Sequence, residues 1–594
     1  MVELNRRVRT IDREFGRYIR ERGGDRETII AATLASFILS IGDICVDLLN
    51  CKEGRLWGDD DLEEILPLDR EAWIETVRSS SLVGDGESET MLVLRGSRLY
   101  LYRYFSFERV VVNRLKGGVS SSLSLKSDTV ELLRVMFATD QDFSNFGGDL
   151  QLAGALLPLM LPFVVLSGGP GTGKTTTVAK LLVTLLSENV ETKIALAAPT
   201  GKAAQRVNDS IVASVKSFAE NNWLTDSIAS RLGSLKAKTI HRLLGSIHLS
   251  PSFRHNRENL LDYDIVVVDE ASMIDLPLLA RLFEALRADT KVILLGDQYQ
   301  LASVGAGSIL GDICMAYPEN NFSKDFVRFH TTVADAKNVV SDSKELSPII
   351  QFKRSFRFAP DGDIAVVSRL INAASSDNSN FTQLIERVER DGALVKIVDR
   401  VTTTSLKELF KPLIESNSAE EALSKITRAA ILTVSNDGEY GQITINSTLI
   451  DSFKYESQDY LNNMPIIIQE NRYDLELFNG DIGIVRFEDG QWVAAFEGDK
   501  SIRRFPVIIL PTWQPAFAIT IHKSQGSEYS RVVVIVGDRD TPTLTAELLY
   551  TAITRAKPTD SSQWAVKIVG ERTLLKMAIS RRVERVSGVV EELS

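Results

Sequence analysis

Short apolar runs alternate with segments of helical spacing through the middle of this chain. Runs of strand length lie at residues 163–166, 194–197, 265–268 and 292–295, and each ends in a polar or glycine-containing segment. Buried strands that alternate with helices predict an α/β fold with a doubly wound parallel sheet. Because the carboxyl ends of parallel strands meet at one edge of a sheet, we expect the functional groups to gather there.

The same alternation resumes at residue 431 and is interrupted once. Between residues 475 and 510 the apolar positions follow short alternating strands, separated by the turn sequences NGD, DG and GD. Such turns between short strands are typical of β-hairpins. The pattern therefore predicts a second α/β domain that carries a small inserted β-barrel.

The first 135 residues have a mixed pattern. An amphipathic helix and an apolar segment after Thr28 precede a predicted hairpin at residues 91–104, whose turn lies at residues 95–97. This part of the sequence contains no catalytic pattern. A docking domain and a purely structural domain fit its composition equally well.

Composition limits the classes of function. A chain of 594 residues, with 44% hydrophobic and 25% charged residues, is too long for one core and has the composition of an ordinary soluble protein. Its formal net charge of −11 argues against a protein that coats nucleic acid. We therefore expect any polyanion to bind in a confined channel.

The cysteines and the apolar runs indicate where in the cell the protein is expected. Cys45, Cys51 and Cys314 form neither a disulfide framework nor a metal-ligand pattern, which favours a reducing cytoplasm. The apolar runs at residues 29–42 and 152–166 are shorter than the ~20 residues that a membrane helix needs. We expect both runs to be buried core and expect no membrane association.

The most specific motif is GGPGTGKT at residues 168–175, between a predicted strand and a predicted helix. It matches the phosphate-binding loop G-x-x-x-x-G-K-[ST], in which glycines let backbone N–H groups converge on phosphate oxygens. Lys174 can then neutralise the β- and γ-phosphates, and Thr175 can ligate Mg²⁺. The candidate nucleotide-binding residues here are Gly168, Gly169, Pro170, Gly171, Thr172, Gly173, Lys174, Thr175 and Thr176.

Two further strand ends carry residues that suit ATP hydrolysis. Asp269 and Glu270 follow the run at residues 265–268. Asp269 is a candidate Mg²⁺ ligand, and Glu270 can polarise the attacking water. Gln300 follows the run at residues 292–295 and is a candidate sensor of the γ-phosphate.

Arg357 and Arg555 are candidate arginine fingers. A guanidinium beside the transferred phosphoryl group stabilises the charge of the transition state and is worth roughly 10³–10⁵ in rate. We expect Lys174 and Thr175 to hold the nucleotide from one lobe, and both arginines to approach it from the other.

The order of these motifs resembles that of superfamily-one DNA helicases. More narrowly, the sequence is similar to the RecD family, the alpha subunits of exodeoxyribonuclease V, and the resemblance runs nearly end to end. The segments that carry it are residues 168–177, 197–204, 238–245, 269–270, 296–301, 357, 518–528 and 551–556. Those most specific to RecD are residues 98–104, 269–277, 300–304 and 479–483.

The resemblance implies two RecA-like P-loop NTPase motor domains with a mixed N-terminal domain and a small inserted SH3-like β-barrel. The expected division is a subunit-docking domain at residues 1–135, a first motor domain with the ATP site at 136–360, and a second motor domain at 361–594, with the barrel at about 440–512. The resemblance also implies ATP and Mg²⁺ in the cleft between the motor domains. Single-stranded DNA would cross both domains and be traversed 5′ to 3′.

The site residues of the family carry over by position. Gln151 matches a glutamine that recognises adenine, and the hydrolysis set is matched by Lys174, Thr175, Asp269, Glu270, Gln300, Arg357 and Arg555. The segments that touch DNA in the family correspond to Pro199, Thr200, Gly201, His241, Thr520, His522 and Ser524.

Two positions depart from the pattern of the relatives. Leu150 stands where family members commonly have Trp, and Ala302 stands where many superfamily-one helicases have Pro, although RecD-like sequences share this alanine. Trp513 and Tyr529 flank the last DNA-touching segment and are either base-stacking residues or core residues.

Three functions remain open. The first is an ATP-dependent 5′-to-3′ DNA translocase or helicase, one subunit of a RecBCD-type helicase-nuclease with RecB-like and RecC-like partners. Such a complex would act on DNA ends in double-strand break repair, recombination and DNA degradation, in the bacterial cytoplasm at the nucleoid. The second is a regulatory subunit whose nucleotide state switches a partner nuclease, since the chain has no nuclease-like carboxylate-lysine pattern.

The third is a stand-alone RecD-like helicase. Such helicases usually carry a longer N-terminal extension with helix-hairpin-helix modules. Here about one domain's worth of chain precedes the phosphate loop at residue 168, without a Gly-rich hairpin pair. This favours the complex-bound form.

Overall fold

The computed structural model describes twelve ranges of the 594-residue chain. They are residues 8–51, 66–67, 69–117, 125–138, 150–247, 250–334, 345–373, 379–453, 460–472, 474–498, 501–559 and 563–593. Within these ranges no helix is both long and apolar enough to cross a lipid bilayer.

In the described ranges, residues 8–138 hold a small four-stranded sheet and five helices. The strands, in the order β1-β4-β3-β2, are β1 (Val46–Asp47), β2 (Val83–Gly84), β3 (Leu92–Arg95) and β4 (Arg98–Leu101). The helices are α1 (Thr10–Glu21), α2 (Arg26–Ile38), α3 (Arg70–Ser79), α4 (Tyr102–Leu115) and α5 (Ser127–Ala138), and a 3₁₀ turn covers Leu39–Ile41.

The predicted hairpin exists but is shorter than expected. Strands β3 and β4 pair antiparallel, with Leu92 opposite Leu101, and turn at Gly96, whose φ is +60°. The expectation that the second arm extends to residue 104 is wrong, because helix α4 begins at Tyr102. The buried residues of α4, which include Phe107, Val111 and Leu115, recur every four positions, and this spacing places them on one face of a helix.

Six parallel strands form the first large sheet, in the order β10-β5-β9-β8-β6-β7. They are β5 (Phe163–Gly168), β6 (Ile194–Ala198), β7 (Lys238–Thr239), β8 (Ile265–Val268), β9 (Lys291–Gly296) and β10 (Ile349–Phe352). The helices are α6 (Leu150–Met160), α7 (Lys174–Glu188), α8 (Gly201–Glu220), α9 (Asp226–Ser234), α10 (Ile240–Leu244), α11 (Leu276–Glu284), α12 (Ile309–Ala316) and α13 (Lys324–Val333), with a 3₁₀ turn at Ala271–Met273. We call this sheet with α5 to α13 the first lobe, and the small four-stranded sheet with α1 to α4 the N-terminal part.

The four strands predicted from apolar runs all lie in this sheet, which is buried on both faces. Along β5, Phe163 and Val165 belong to one hydrophobic cluster, whereas Val164 and Leu166 belong to another on the opposite face. A strand covered on both sides is apolar throughout, which is why the runs are continuous. The expected boundary at residue 135 falls inside α5, whose side chains pack with the first lobe.

A second parallel sheet and an antiparallel sheet follow. The strands are β11 (Val395–Val398), β12 (Ala429–Thr433), β13 (Met464–Ile468), β14 (Ile482–Glu488), β15 (Gln491–Phe496), β16 (Arg503–Pro506), β17 (Trp513–Pro515), β18 (Ala518–Thr520), β19 (Arg531–Gly537) and β20 (Val566–Gly570). The parallel order is β11-β20-β19-β12-β18, and the antiparallel order is β16-β15-β14-β13-β17.

Helices cover this second half as well. They are α14 (Asp363–Asn372), α15 (Ser379–Val388), α16 (Thr403–Ile414), α17 (Ala419–Lys425), α18 (Gln442–Phe453), α19 (Ala546–Ile553), α20 (Arg572–Ser580) and α21 (Val589–Leu593), with 3₁₀ turns at Val507–Ile509 and His522–Ser524. We call the second parallel sheet with α14 to α20 the second lobe, and the strands β13 to β17 the insert.

The insert differs in extent from the expected barrel at about 440–512. Helix α18 occupies the first part of that range, and the strands run from Met464 to Pro515. Insert and second lobe share one hydrophobic cluster, to which Ile466 of β13 and Val533 of β19 both belong. The insert is therefore fused to the second lobe through a common core.

The end of the chain returns to the first half. Helix α21 packs against α4 and α12 instead of the second parallel sheet, and Val589 is completely buried in the cluster that also contains Phe163. The expected second motor domain, residues 361–594, thus has its last described residues on the first lobe and the N-terminal part.

Candidate functional site: a nucleotide cleft between two lobes

A cleft lies where strand ends of the first lobe face the second lobe. It encloses a cavity of about 500 Å³. The first lobe supplies the phosphate loop and the residues after β8, β9 and β10, and the second lobe supplies Glu528 and Arg555. The residues that line the cavity are Gln151, Pro170, Gly171, Thr172, Gly173, Lys174, Thr175, Thr176, Lys180, Ala203, Arg206, Ser210, Asp269, Glu270, Asp297, Gln300, Phe356, Arg357, Glu528 and Arg555.

The phosphate loop joins the last residue of β5, Gly168, to the first residue of α7, Lys174. Gly171 and Gly173 have φ angles of +74° and +82°, in the region that favours glycine. The Nζ of Lys174 donates to the carbonyls of Gly168 and Gly169, the latter at 3.1 Å. Gly168 and Gly169 thus contact the lysine although they do not line the cavity.

Gln151 lies beside the phosphate loop, near the start of α6. It is buried and donates from Nε2 to the carbonyl of Thr172 at 3.2 Å. The exposed ring of Phe356 also lines the cavity. An aromatic face and an amide beside a phosphate loop suit an adenine base, which stacks and forms hydrogen bonds.

The two carboxylates predicted for hydrolysis follow β8. The backbone N–H of Glu270 donates to Oδ1 of Asp269 at 2.8 Å, and Glu270 has a φ of +52°. Burial raises the pKa of Asp269, the charge of Glu270 raises it further, and Lys174 lowers it. Asp269 and Thr175 line the same cavity, and the oxygen donors of their side chains fit Mg²⁺.

Gln300 and Asp297 lie on the loop after β9, and both are buried. Nε2 of Gln300 donates to Oδ2 of Asp297 at 3.2 Å, and the hydroxyl of Tyr550 in the second lobe donates to the same oxygen at 2.8 Å. Among the described residues, Oε1 of Gln300 has no hydrogen-bond partner. Burial raises the pKa of Asp297, whereas Lys174 and Tyr550 lower it.

The two arginines reach the cavity from different lobes. Arg555 is buried just after the end of α19 in the second lobe, and its Nε donates to the carbonyl of Thr551 at 3.1 Å. Arg357 follows β10 of the first lobe. The prediction that both arginines approach from the other lobe is therefore confirmed for Arg555 and wrong for Arg357.

The pairing of β10 with β5 explains the position of Arg357, because it places the residues after β10 beside the phosphate loop. The N–H of Phe356 donates to the carbonyl of Gly171 at 2.7 Å. A Cβ on Gly171 would lie 2.3 Å from the Cβ of Arg357. Glycine at this position thus permits the close approach that brings the guanidinium to the cavity.

One carboxylate of the second lobe, Glu528, contacts Arg357 and a third arginine, Arg206. Its Oε1 accepts from Arg357 at 2.5 Å and also from Arg206 of α8, and Lys557 lies 3.4 Å from its Oε2. Arg206 is in turn 3.8 Å from Glu270. Burial raises the pKa of Glu528, but the three cations together hold it below its usual value.

The residues predicted to touch DNA lie in two groups, one in each lobe. Pro199, Thr200 and Gly201 follow β6, and the hydroxyl of Thr200 accepts from the N–H of Ala203 and so caps α8. His241 lies in α10 of the same lobe, and partial burial of its ring lowers its pKa.

The second group lies at the end of β18 and just after it. Thr520 and Ser524 are buried, and the hydroxyl of Ser524 donates to the Ile521 carbonyl at 2.6 Å. His522 is half-buried. The Nζ of Lys202 donates to Oγ of Ser527 at 2.6 Å and so connects the two groups across the cleft. Direct DNA contact by any of these side chains stays a prediction.

The two aromatic residues that flank the second predicted DNA-touching segment differ in how deeply they are buried. Tyr529 is buried in the core of the second lobe, as expected of a core residue. Trp513 is partly buried, and its ring centroid lies 5.7 Å from that of Tyr460.

Three family models match the chain. They are the RecBCD enzyme subunit RecD N-terminal domain at residues 5–100, an AAA domain at residues 155–306 and the UvrD-like helicase C-terminal domain at residues 515–558. The RecBCD enzyme subunit RecD of Mycobacterium tuberculosis is 34% identical over 577 residues, which cover 95% of this chain and 91% of that protein. The chain belongs to the RecD family.

Further similar proteins include another RecBCD subunit and a DNA helicase. The RecBCD enzyme subunit RecD of Haemophilus influenzae is 30% identical over 83% of this chain and 79% of its own length. The ATP-dependent RecD2 DNA helicase of Deinococcus radiodurans is 28% identical over 73% of this chain and 51% of its own length. A similar solved structure is Bacteroides Pif1 bound to single-stranded DNA, at 16% identity and a TM-score of 0.35, covering 77% of this chain and 96% of that one.

Sequence reasoning about this RecD-family chain missed several residues of the cleft. Phe356 lies one residue before Arg357, and Glu528 lies at the end of the segment 518–528. Arg206 lies four residues after Lys202, on the helix that begins within the motif at 197–204. Helical spacing from a recognised motif is the signal that could have identified Arg206.

Proposed function

We propose that this RecD-family chain is an ATP-driven DNA helicase and translocase, the motor subunit of a RecBCD-type helicase-nuclease. One observation carries the proposal. The phosphate loop, the acidic pair after β8, Gln300 and both arginines line a single cavity bounded by two lobes. A site divided between two lobes couples nucleotide state to lobe movement, which is what a motor requires.

The residues of the cavity support a hydrolysis mechanism. On binding ATP, Lys174 leaves the loop carbonyls for the β- and γ-phosphates. Thr175 and Asp269 would hold Mg²⁺, which neutralises phosphate charge when bound. Glu270 accepts a proton from the attacking water, and Gln300 orients that water beside the γ-phosphate.

The arginines complete the mechanism. Arg357 and Arg555 stabilise the negative charge that develops on the equatorial oxygens of the γ-phosphoryl group. Because they belong to different lobes, both reach these oxygens only when the cleft is closed around the nucleotide. Hydrolysis is thereby tied to the closed cleft.

Movement along DNA would follow from closure of the cleft. The residues after β6 and after β18 lie in different lobes, so they approach or separate as the nucleotide state changes. We propose that single-stranded DNA crosses these two groups and is traversed 5′ to 3′. Contacts from hydroxyls and backbone amides to phosphates are indifferent to base sequence, as translocation requires.

The assembly is part of the proposal. We propose RecB-like and RecC-like partner subunits, a docking role for residues 1–135, motor domains at 136–360 and 361–594, and an SH3-like fold for the insert. The match of residues 5–100 to the RecD N-terminal domain supports a subunit over a stand-alone helicase. A cytoplasmic complex acting on DNA ends in repair and recombination fits these partners.

The test is a Lys174→Gln variant in the complex with its partner subunits, assayed on a 5′-tailed duplex. We expect unwinding from the 5′ tail, and the share of DNA-dependent ATP turnover that this chain contributes, to fall by about 10²–10³, the cost of removing one preorganised electrostatic contact. Lys216→Gln, which removes an exposed lysine on α8, is the matched control.

Two outcomes would count against the proposal. Wild-type unwinding by the Lys174→Gln complex would show that another motor does the work. Unchanged unwinding together with altered nuclease activity would instead favour a subunit that acts as a nucleotide switch.

A further inference from the structure

The segment after α20 leaves the second lobe and ends on the other half of the molecule. We call residues 581–593 the C-terminal strap. Near its start, Arg582 donates to the carbonyls of Ile371 and Asn372 in α14, at 2.8 and 2.5 Å. The N–H of Val583 donates to Glu547 at 3.2 Å. The strap therefore begins with contacts to the second lobe.

A few residues later its partners belong to the N-terminal part and the first lobe. The N–H of Val586 donates to Asp43 at 2.9 Å, and the hydroxyl of Ser587 donates to Asp312 of α12 at 2.8 Å. Val589 is completely buried next to these contacts. The strap thus bridges both lobes, and its position on the first lobe is fixed by polar and apolar contacts together.

Arg585 lies at the crossing point and binds one loop of the first lobe. Its guanidinium donates to the carbonyls of Ser303 at 2.8 Å, Gly307 at 3.1 Å and Gly305. The guanidinium is also covered by Gly42, where an added Cβ would lie 2.6 Å from Cζ of Arg585. Hydrogen bonds from a charged donor are stronger than neutral ones, so a single side chain fixes three backbone positions.

The same loop begins in the nucleotide cleft. Gln300 lines the cavity, and its neighbour Leu301 is bound to the second lobe by two hydrogen bonds. The N–H of Leu301 donates to Thr551 at 3.0 Å, and its carbonyl accepts from Gln525 at 3.3 Å. Residues 300–307 are therefore held at one end by the second lobe. At the other end they are held by Arg585 and by two backbone hydrogen bonds, from the N–H of Leu276 to the carbonyl of Ala306 at 3.1 Å and from the N–H of Gly307 to the carbonyl of Gly42 at 2.8 Å.

We propose that Arg585 is a positioning residue for ATP hydrolysis, which acts by fixing residues 303–307 and thereby the place of Gln300 at the γ-phosphate. The inference rests on the proposed function of the cleft. Because residues 303–307 stay on the first lobe, movement of the second lobe shifts only the part of the loop at Leu301. Gln300 then takes a defined position for each position of the second lobe, whereas the rest of the loop does not move. Without Arg585 the backbone hydrogen bonds at Ala306 and Gly307 remain, but the carbonyls of Ser303 and Gly305 lose their contact with the strap. The part of the loop next to Gln300 then follows Leu301, and Gln300 loses its defined place.

The experiment compares steady-state ATP turnover on single-stranded DNA by complete complexes that carry Arg585→Ala, Arg585→Lys or Arg582→Ala. Turnover that remains with Lys174→Gln is subtracted as the background of the other subunits. For Arg585→Ala we expect kcat to fall by about 10- to 10²-fold, the scale of a misplaced catalytic group, with KM for ATP unchanged within about twofold. Arg585→Lys should lie in between, because its amine cannot serve three carbonyls with the geometry of a guanidinium.

Arg582→Ala is the matched control, since it removes the same side chain three residues earlier and its backbone partners lie only in the second lobe. We expect its kcat and KM to stay near the wild-type values. A double variant with Gln300→Ala supplies the decisive comparison. If Arg585 acts through Gln300, adding Arg585→Ala to Gln300→Ala lowers kcat no further.

Wild-type kcat in both Arg585 variants overturns the inference. An additive loss of kcat in the double variant also overturns it, and so does a rise in KM without loss of kcat. If Arg585→Ala does not assemble with its partners, Arg585→Lys decides, and wild-type kcat in that variant overturns the inference. Equal turnover by wild-type and Lys174→Gln complexes would instead contradict the proposed function. The two failures are thus distinguishable.

Discussion

At the scale of single residues, Glu528 is the most informative feature of the cleft. In the structure its carboxylate accepts hydrogen bonds from both Arg206 and Arg357. A γ-phosphate would engage these cations, because a phosphoryl group offers them the same kind of acceptor. We therefore expect ATP to compete with Glu528 for at least one of the two arginines.

This competition predicts the effect of Glu528→Gln. Neutralising the carboxylate removes a charge-assisted interaction of ~1.5–3 kcal/mol with the arginines. We expect a non-hydrolysable ATP analogue to bind about tenfold more tightly, whereas the affinity for ADP, which lacks the γ-phosphate, changes much less. Titration calorimetry measures both affinities, and Glu571→Gln, an exposed residue of the second lobe, is the control. Equal gains for ATP analogue and ADP would contradict the competition.

Individual residues also show what motif spacing can and cannot provide. The motifs assign Lys174, Asp269, Gln300 and Arg555 to one site, and all four line one cavity. The predicted side of approach is wrong for Arg357. Spacing along the chain does not indicate that β10 pairs with β5, because the order of strands in a sheet is decided by packing.

At the scale of elements, the C-terminal strap contacts two buried carboxyl groups. Glu108 accepts from the N–H of Gly588 at 2.9 Å, and Asp312 accepts from Ser587. Burial raises the pKa of each to about 7, although the hydrogen bonds from the strap act in the opposite direction. The other groups that face these two carboxyls are Arg98, Tyr100, Arg585 and Glu591.

Because both pKa values are higher in the folded than in the unfolded chain, the folded state binds more protons. The stability that these groups contribute is fully present below about pH 4 and is lost as pH rises through about 7. Each pKa unit corresponds to about 1.4 kcal/mol for a buried group. Replacing Asp312 with Asn should therefore reduce the fall in melting temperature between about pH 5.5 and 8, an interval that contains the folded-state pKa.

Melting temperatures of wild type and Asp312→Asn across that range test the prediction. Asp325→Asn serves as the control, because Asp325 is exposed on α13. The same pH dependence of the melting temperature in wild type and Asp312→Asn would show that ionisation of the Asp312 carboxyl does not lower stability in this interval.

Element boundaries show a related limit of sequence reasoning. The start of α4 at Tyr102 is not visible in the sequence, because residues 98–104 are rich in tyrosine, which fits a strand equally well. The apolar runs that form β5, β6, β8 and β9 are reliable signals, since each is short, continuous and followed by a polar or glycine-containing segment.

At the scale of the whole molecule, the insert reaches across to the first lobe. The ring centroid of Phe478, between β13 and β14, lies 4.9 Å from the guanidinium of Arg242. A Cβ on Gly201 would lie 2.9 Å from the Cβ of Phe478. Because Gly201 and His241 are predicted DNA contacts, the tip of the insert covers part of the proposed DNA path.

Phe478→Ala should therefore ease DNA binding. The lost cation–π contact is worth ~0.5–1 kcal/mol, so we expect single-stranded DNA to bind about 2- to 5-fold more tightly. Fluorescence anisotropy with a labelled oligonucleotide measures the change. Phe487→Ala, which removes an exposed ring elsewhere on the insert, is the control. Weaker binding by Phe478→Ala would mean that the ring contacts DNA instead of covering its path.

The sequence by itself determined the local chemistry of this protein. Strand, glycine loop and helix at residues 163–186 form a phosphate site from contacts between near neighbours. The acidic residues that follow a buried strand are positioned by that strand alone. Tertiary structure alone decided three other features: the carboxylate Glu528 between two arginines, the side of Arg357, and the strap that brings Arg585 to residues 303–307. The partners in the Arg357–Glu528 and Arg585–Ser303 contacts lie 171 and 282 residues apart in the chain, and no local pattern specifies which distant surfaces pack together.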